Sequence, residues 1–234
     1  MSLLTLPVRD VVRATPRLRI IGLELRGASF SFAAGQAVMV GLRGSPLRKP
    51  YSIASPPSEV TRSGLMHLLL QVEDSGSPDP HLELAEPGTE LDVDGPFGTF
   101  GLPPDAGAVP LLFVAGGTGI APLRSMWLER LAHPDPPAMA VVYRARSADE
   151  LAFRAELETL DAAGALRAHL TVTRADRTHW AGRHGRIDET LLRRALPGPD
   201  ARCLVCGPPE LESAGRDLLT KIGIAPDQIF TEQQ

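Results

Sequence analysis

Residues 111–127, LLFVAGGTGIAPLRSMW, constrain the fold more than any other stretch of the chain. Leu111 to Ala115 are all apolar and read as a strand buried on both faces. Gly116, Gly117 and Gly119 follow, and then Leu123, Met126, Trp127 and Leu131 recur at helical spacing. A strand that passes through a glycine-rich turn into a helix is a phosphate cradle. Glycines let the backbone approach an anion, and the free N–H groups at the helix start bond to it. Pro122 falls in the first turn, where a missing N–H costs nothing. The rival is a tight turn with no ligand; the strand-to-helix context favours a nucleotide.

Beyond this stretch, strand-like runs at 139–143, 167–173, 203–206 and 228–230 alternate with helical patterns. Ser147 with Glu150 has the spacing of a capping box, ahead of Phe153, Leu157 and Leu160 on one face. Asp188 can cap a helix carrying Leu191, Leu192 and Ala195. Pro208 and Pro209 open another, with Leu211, Ala214, Leu218 and Ile222 on its stripe and Gly223 as its stop. Five strands with helical crossovers predict a doubly wound, five-stranded parallel sheet with helices on both faces. Such sheets bind ligands at the strands' carboxyl ends, where the strand order reverses.

The first hundred residues differ. Short runs at 17–25, 36–42, 65–72 and 89–93 are punctuated by Gly27, Gly35, Gly44, Pro56, Pro57, Gly64, Gly88 and Gly95. That rhythm predicts an antiparallel sandwich or barrel, and the pattern alone does not choose between them. Residues 101–110, GLPPDAGAVP, hold three prolines and little to bury, so they mark the boundary. The expected units are 1–102 and 108–234, and 234 residues suffice for two cores.

Lys and Arg number 24 against 28 Asp and Glu, a net charge of −4, and no basic run occurs. This argues against a nucleic-acid partner, and no apolar run is long enough for membrane insertion. The N-terminus meets Pro7 and charge too early for a secretory signal, so the expected location is cytoplasmic. Cys203 and Cys206 are three apart on a predicted strand and should point to opposite faces, which disfavours a disulfide or a metal site.

Four motifs occur in order: Lys49-Pro50-Tyr51-Ser52-Ile53-Ala54-Ser55, Gly95-Pro96-Phe97-Gly98-Thr99-Phe100, Gly116-Gly117-Thr118-Gly119-Ile120-Ala121-Pro122 and Cys206-Gly207-Pro208-Pro209. Together they resemble the ferredoxin–NADP reductase family, which includes flavin reductases and the reductase modules of oxygenases. The resemblance covers almost the whole chain. It implies an N-terminal antiparallel Greek-key β-barrel that binds FAD, followed by an NAD(P)-binding α/β unit. It further implies that Tyr51 stacks on the isoalloxazine and that the Ser52 hydroxyl bonds flavin N5. An aromatic face to hold a ring and a hydroxyl to steady the hydride-accepting atom make chemical sense at such a site. By the same resemblance the glycine turn carries the dinucleotide pyrophosphate, with Thr118 near the nicotinamide, and Cys206 lies against the nicotinamide ring. A small buried hydrophobe is the usual alternative for such a cysteine.

Charge bears on the choice of dinucleotide. An NAD-selective fold commonly places an acid after its second strand. Here that strand ends Tyr143-Arg144-Ala145-Arg146, the third ends Thr173-Arg174, and Arg183 and Arg186 follow. Arginines with a hydroxyl suit a 2′-phosphate, which favours NADPH over NADH; solvated surface arginines are the alternative.

Three departures from the family pattern stand out. Lys49 occupies the position of an arginine that contacts the FAD phosphates, with Arg48 one place earlier. Counting back from Pro87-Gly88, with Pro80 and Leu82 matching, the second phosphate contact falls on Asp79 instead of a serine or threonine; Ser77 is a substitute if the loop shifts. A carboxylate repels a pyrophosphate, so FMN or loosely held flavin are alternatives to tight FAD. The last residues, Thr231-Glu232-Gln233-Gln234, lack the aromatic that covers the flavin in many members, while Glu232 matches an acid used for proton handling in plant-type members.

The expected function is hydride transfer from NADPH to FAD, with electrons passing to a separate acceptor: ferredoxin, flavodoxin or a partner subunit. Ser52, Cys206 and Glu232 are the expected catalytic residues. Alternatives are an NAD(P)H:flavin reductase or diaphorase that uses flavin as a substrate, and a cofactor-binding subunit or redox sensor without turnover.

Overall fold

In a computed structural model that describes residues 3–72, 80–174 and 180–232, the first unit is a closed barrel. Its strands are β1 (Leu4–Thr15), β2 (Leu18–Glu24), β3 (Ala37–Leu42), β4 (Lys49–Ser52), β5 (Leu65–Gln71) and β6 (Glu90–Phe97). They pair antiparallel in the order β4-β3-β6-β1-β2-β5. A bridge between Ile53 and Leu68 joins the two outer strands, so the sheet closes on itself and presents no long free edge. Alternate residues fill the interior: Ile21 and Leu23, Val38 and Val40, Met66, Leu68 and Leu70, Leu91 and Val93. The choice left open by the pattern thus falls on the barrel.

Strand β1 was absent from the expected set. Pro7 and the charged Arg9, Asp10 and Arg13 break its apolar run, yet it is the longest strand at 12 residues. Register shifts between Val8 and Asp10 and between Arg13 and Thr15 bend it, so that it pairs first with β6 and then with β2.

The second unit holds β7 (Leu111–Gly116), α2 (Ile120–Leu131), β8 (Met139–Ala145), α3 (Arg154–Ala162), β9 (Arg167–Val172), β10 (Arg183–His184), α4 (Glu189–Ala195), β11 (Arg202–Cys206), α5 (Pro209–Lys221) and β12 (Ile229–Thr231). A short helix, α1 (Pro57–Ser63), belongs to the barrel. The sheet is parallel, in the order β10-β9-β8-β7-β11-β12. Strand β7 is buried throughout: Leu111, Phe113 and Ala115 enter the core that contains α2 and α3, and Leu112 and Val114 enter the core that contains α4 and α5. Cys203 and Cys206 alternate in the same way and are both free and buried.

Three local expectations need correction. The two-residue β10 adds a sixth strand at the sheet edge. Ser147 precedes a 3-10 turn at Ala148–Glu150, but its hydroxyl bonds the Asp149 carboxylate and makes no capping bond to the backbone; α3 starts later, after Phe153 at φ 57. On α5 the buried residues are Leu211, Gly215 and Leu219, while Ala214 is exposed, because packing against β11 needs a small residue beside Val205. Asp188 does cap α4, accepting from the Leu191 N–H at 2.8 Å.

The two units share one apolar core. Leu18, Ala34, Ala54, Leu69 and Phe100 of the barrel pack with Ala121, Met126 and Trp127 of α2. Full burial of a side chain such as Met126 contributes about 1.5–3 kcal/mol. Hydrogen bonds orient the contact: the Ser125 hydroxyl donates to the Ser55 carbonyl at 2.7 Å, and Arg124 donates to the Ala54 carbonyl at 2.8 Å.

Candidate active site

The strand order reverses between β7 and β11, and both carboxyl ends there carry glycine. Gly117–Gly119 form a 3-10 turn leading into α2. A Cβ on Gly119 would stand 2.3 Å from the Cys206 carbonyl oxygen and 2.6 Å from the Gly207 nitrogen. Only glycine lets the two strand ends touch. A Cβ on Gly116 would meet Leu211 at 2.7 Å, so this glycine serves helix packing and lines neither cleft described below. Gly117, at φ 57, faces open space. The Tyr143 hydroxyl donates to its carbonyl at 3.1 Å. Burial pushes that phenol well above its ordinary range, so it remains a donor.

A smaller cleft of about 270 Å³ opens between β4 and the ends of β7 and β11. Lys49, Pro50, Tyr51 and Ser52 form one wall; Thr118, Gly119, Cys206, Gly207 and Glu232 form the other. Tyr51 is 9 % exposed, with its remaining surface packed in the barrel core. An aromatic ring, a hydroxyl and a cation on one wall suit the ring and the phosphate of a flavin. Arg48 does not add to that cation. It pairs with the buried Asp92, whose carboxyl is held below its usual range first by the Gly44 N–H. Ile53 also departs from expectation: its side chain is fully buried in the barrel core and its N–H is taken by the Gln36 carbonyl, because it lies at the seam that closes the barrel. Ser77 and Asp79 lie outside the described residues.

On the opposite wall, the Cys206 thiol donates to Glu232 at 3.1 Å. Burial, then the Glu232 charge, push this thiol well above its ordinary range, so it stands protonated. Glu212 accepts from the Gly207 N–H at 3.2 Å, and its carboxyl is raised by burial and by Glu232. Glu212 lines neither cleft; Gly207 is five residues away in the chain, while Glu232 comes near only when β12 joins the sheet.

The larger cleft, about 660 Å³, runs from the glycine turn along the ends of β8 and β9. Thr173 and Arg174 bond by their backbone N–H groups to the carbonyls of Ala145 and Arg146, at 3.1 and 2.6 Å, which sets Arg146 beside Arg174. Arg17, Arg144, Arg146, Arg174 and Arg186 line this cleft, and among the described residues none of them forms an ion pair. Among the described residues, Glu150 and Glu210 are the carboxylates on its walls. Burial, and then the Arg186 charge, lower the Arg144 pKa from its ordinary value. Arg183 is a correction: it is committed to Asp188 and to the Arg186 carbonyl and does not line the cleft. Thr118 and Gln71 line both clefts, which therefore meet at these residues.

Residues 5–101 match the oxidoreductase FAD-binding domain and residues 113–217 the oxidoreductase NAD-binding domain. Ferredoxin--NADP reductase B of Sorangium cellulosum is 34% identical over 231 residues, which cover 94% of this chain and 92% of that one. The chain belongs to the ferredoxin–NADP reductase family. It is an oxidoreductase that binds FAD and a nicotinamide dinucleotide. NADH-cytochrome b5 reductase 2 of Scheffersomyces stipitis is 29% identical over 177 residues, covering 74% of this chain and 58% of that relative. Among solved structures, an Amycolatopsis cytochrome P450 reductase superposes with a TM-score of 0.83 at 25% identity over 99% of this chain and 70% of its own. A Neisseria gonorrhoeae ferredoxin NADP+ reductase with bound FAD and NADP gives 0.81 at 21% over 99% and 98%. No helix among the described residues is long and apolar enough to cross a membrane.

As a member of the ferredoxin–NADP reductase family, the chain has cleft residues that the motifs did not reveal. Thr15, Arg17 and Gln71 come from the barrel, Glu150 from the 3-10 turn after β8, Gly185 from the loop after β10, and Glu210 from α5. Arg144 carried a signal, the alternation Arg144-Ala145-Arg146 at a strand end. Arg17 carried none, since only the docking of the two units brings it near Arg174.

Proposed function

We propose that this oxidoreductase takes hydride from NADPH and, through FAD held at the barrel, delivers electrons to a separate acceptor. The observation that carries the reading is the larger cleft: among the described residues lining it, five guanidinium charges against two carboxylates leave a net +3. The pyrophosphate of NADH matches part of that charge; the additional 2′-phosphate of NADPH matches it better. In this reading residues 1–102 hold the flavin and 108–234 the dinucleotide.

Bound FAD supplies a two-electron acceptor for nicotinamide hydride that can release electrons singly. The chain's own residues position and shield. Arg146, Thr173, Arg174 and Arg186 anchor the adenosine phosphate, and Gly117, Thr118, Gly119 and Pro208 pass the pyrophosphate into the throat at Thr118. Tyr51 and Lys49 hold the flavin ring and phosphate, while Ser52 offers its hydroxyl at the ring edge. Cys206, neutral and apolar, fills the far wall against the nicotinamide, and Glu232 holds a proton acceptor beside it. The relatives' names, ferredoxin and cytochrome b5 among them, favour a one-electron protein acceptor.

The test is anaerobic. Purified protein should be yellow, and NADPH should bleach it at lower concentration than NADH. Arg174→Ala should raise KM for NADPH by about tenfold or more and leave that for NADH nearly unchanged. An equal effect on both would refute the choice of NADPH.

The tie between Arg48 and Asp92 favours a second reading, since it leaves Lys49 as the cation that β4 contributes to the flavin cleft. A single lysine holds phosphate less firmly than an arginine fork, as in a reductase that releases flavin as a product. Colourless protein that oxidises NADPH only with added flavin would select it.

A further inference from the structure

Among the described residues, Arg17 is the one cleft arginine contributed by the barrel, and hydrogen bonds on both sides of it fix its backbone. Pro16 and Arg17 form a two-residue turn between β1 and β2, with Thr15 paired to Leu18. The Arg17 N–H donates to the Thr15 hydroxyl at 3.2 Å, and the Arg17 carbonyl accepts from the Val72 N–H at 2.8 Å. Arg19 spends its guanidinium on the turn itself, donating to the Thr15 and Leu18 carbonyls at 3.2 and 3.1 Å. Leu18 is buried in the core that also holds Ala145, which seats the turn against the end of β8. The Arg17 side chain, with no ion pair among the described residues, is thereby held toward the cleft that Arg144, Arg146 and Arg174 line from the other side.

Like charges gathered around one cleft repel unless an anion lies between them. Arginine is also the side chain whose planar fork best fits a phosphate. We propose that Arg17 is a phosphate ligand of the dinucleotide, reaching from the flavin-binding barrel across to the nucleotide-binding unit. This rests on the reading of the larger cleft as the dinucleotide site. It makes nucleotide recognition a property of both units, so that bound dinucleotide ties the barrel to the sheet.

The experiment is calorimetric titration of NADP+, NAD+ and 2′-phospho-AMP into flavin-loaded protein, with wild type, Arg17→Ala and Arg17→Lys compared at equal thermal midpoint. Arg17→Ala should weaken NADP+ about tenfold, the loss of one charge-assisted contact, and Arg17→Lys should fall between it and wild type. Weakening of NADP+ and 2′-phospho-AMP with NAD+ unchanged assigns Arg17 to the 2′-phosphate. Parallel weakening of NADP+ and NAD+ assigns it to the pyrophosphate. Unchanged affinity for all three, with tight binding by wild type, overturns the role of Arg17 alone. Failure of wild type to bind either dinucleotide overturns the reading of the cleft, and the Arg17 proposal with it.

Discussion

The Tyr143 hydroxyl and the Gly117 carbonyl, 3.1 Å apart, join the second strand of the nucleotide-binding sheet to the turn at the end of the first. The bond fixes the Gly117 peptide, and Gly117 and Thr118 both line the larger cleft. Tyr143→Phe keeps the buried ring and removes only the donor, at a cost of about 1 kcal/mol in stability. Loosening the turn should weaken NADP+ and NAD+ by the same factor, because both share the pyrophosphate. Parallel titrations check this. A loss confined to NADP+ would place Tyr143 in 2′-phosphate recognition instead.

His67 is expected to make stability at the interface between the two units depend on pH. Its Nδ1 lies 3.1 Å from the Ser55 hydroxyl, and the Ser55 carbonyl accepts from Ser125 across the interface. Burial lowers the His67 pKa below its ordinary 6.5, Arg124 lowers it further, and Glu59 and Asp10 oppose. The unfolded chain therefore binds the proton more readily, and stability is full above about pH 6.5 and lost as the pH falls toward the folded-state value. Between pH 7.5 and 5.5 the thermal midpoint of wild type should drop more steeply than that of His67→Gln. His169, also lowered by burial and then by Arg194 and Arg167, is present in both proteins and cancels in the difference. Identical slopes would exclude His67.

What the sequence revealed about the site depended on how far apart the cooperating residues lie. The glycine turn and the alternation of Cys203 and Cys206 are local, and spacing conveyed their geometry, whereas Tyr51-Ser52 stood out through the resemblance of its motif to a family. Strand β1 was hidden because a barrel strand that bulges and changes partners need not alternate cleanly, and Pro7 with three nearby charges disguised it. Arg183 looked like a phosphate ligand by composition. A carboxylate five residues on, Asp188, both caps α4 and takes its charge. Ile53 was included with its motif, although alternation after Tyr51-Ser52 turns it into the barrel. Arg17 and Gln71 lie far from the glycine turn in the chain and carry no local mark.

Arg124 clasps the two units. It donates to Glu156 through two nitrogens, at 2.9 and 2.6 Å, bonds the Ala54 carbonyl, and lies 4.7 Å from the centre of the Phe153 ring. Its side chain is 12% exposed and that of Glu156 30%. Arg124→Met strands a carboxylate and a carbonyl. A fully buried pair broken this way costs about 3–5 kcal/mol, and partial exposure of Glu156 reduces that to about 2 kcal/mol. Arg124→Met with Glu156→Gln should recover part of the loss, since no unpaired charge remains. Urea denaturation of the two single variants and the double variant checks this, and strict additivity would show that the pair contributes nothing.

The glycines of the turn differ in what they tolerate. A Cβ at Gly119 meets backbone, the Cys206 carbonyl oxygen at 2.3 Å, which cannot move without displacing β11 from β7. A Cβ at Gly117 meets no atom within 4 Å, and its only intramolecular cost is the left-handed φ of 57, about 1–2 kcal/mol. If the larger cleft is the dinucleotide site as proposed, that methyl would nevertheless stand where the backbone approaches the pyrophosphate. Gly117→Ala should therefore fold, with a modestly lower thermal midpoint, and lose most of its affinity for both dinucleotides. Gly119→Ala should lose its cooperative unfolding transition, and its dinucleotide binding with it. Thermal melts paired with NADP+ titration separate the two. A Gly119→Ala protein that melts like wild type would mean that the contact between the ends of β7 and β11 is not what positions Cys206.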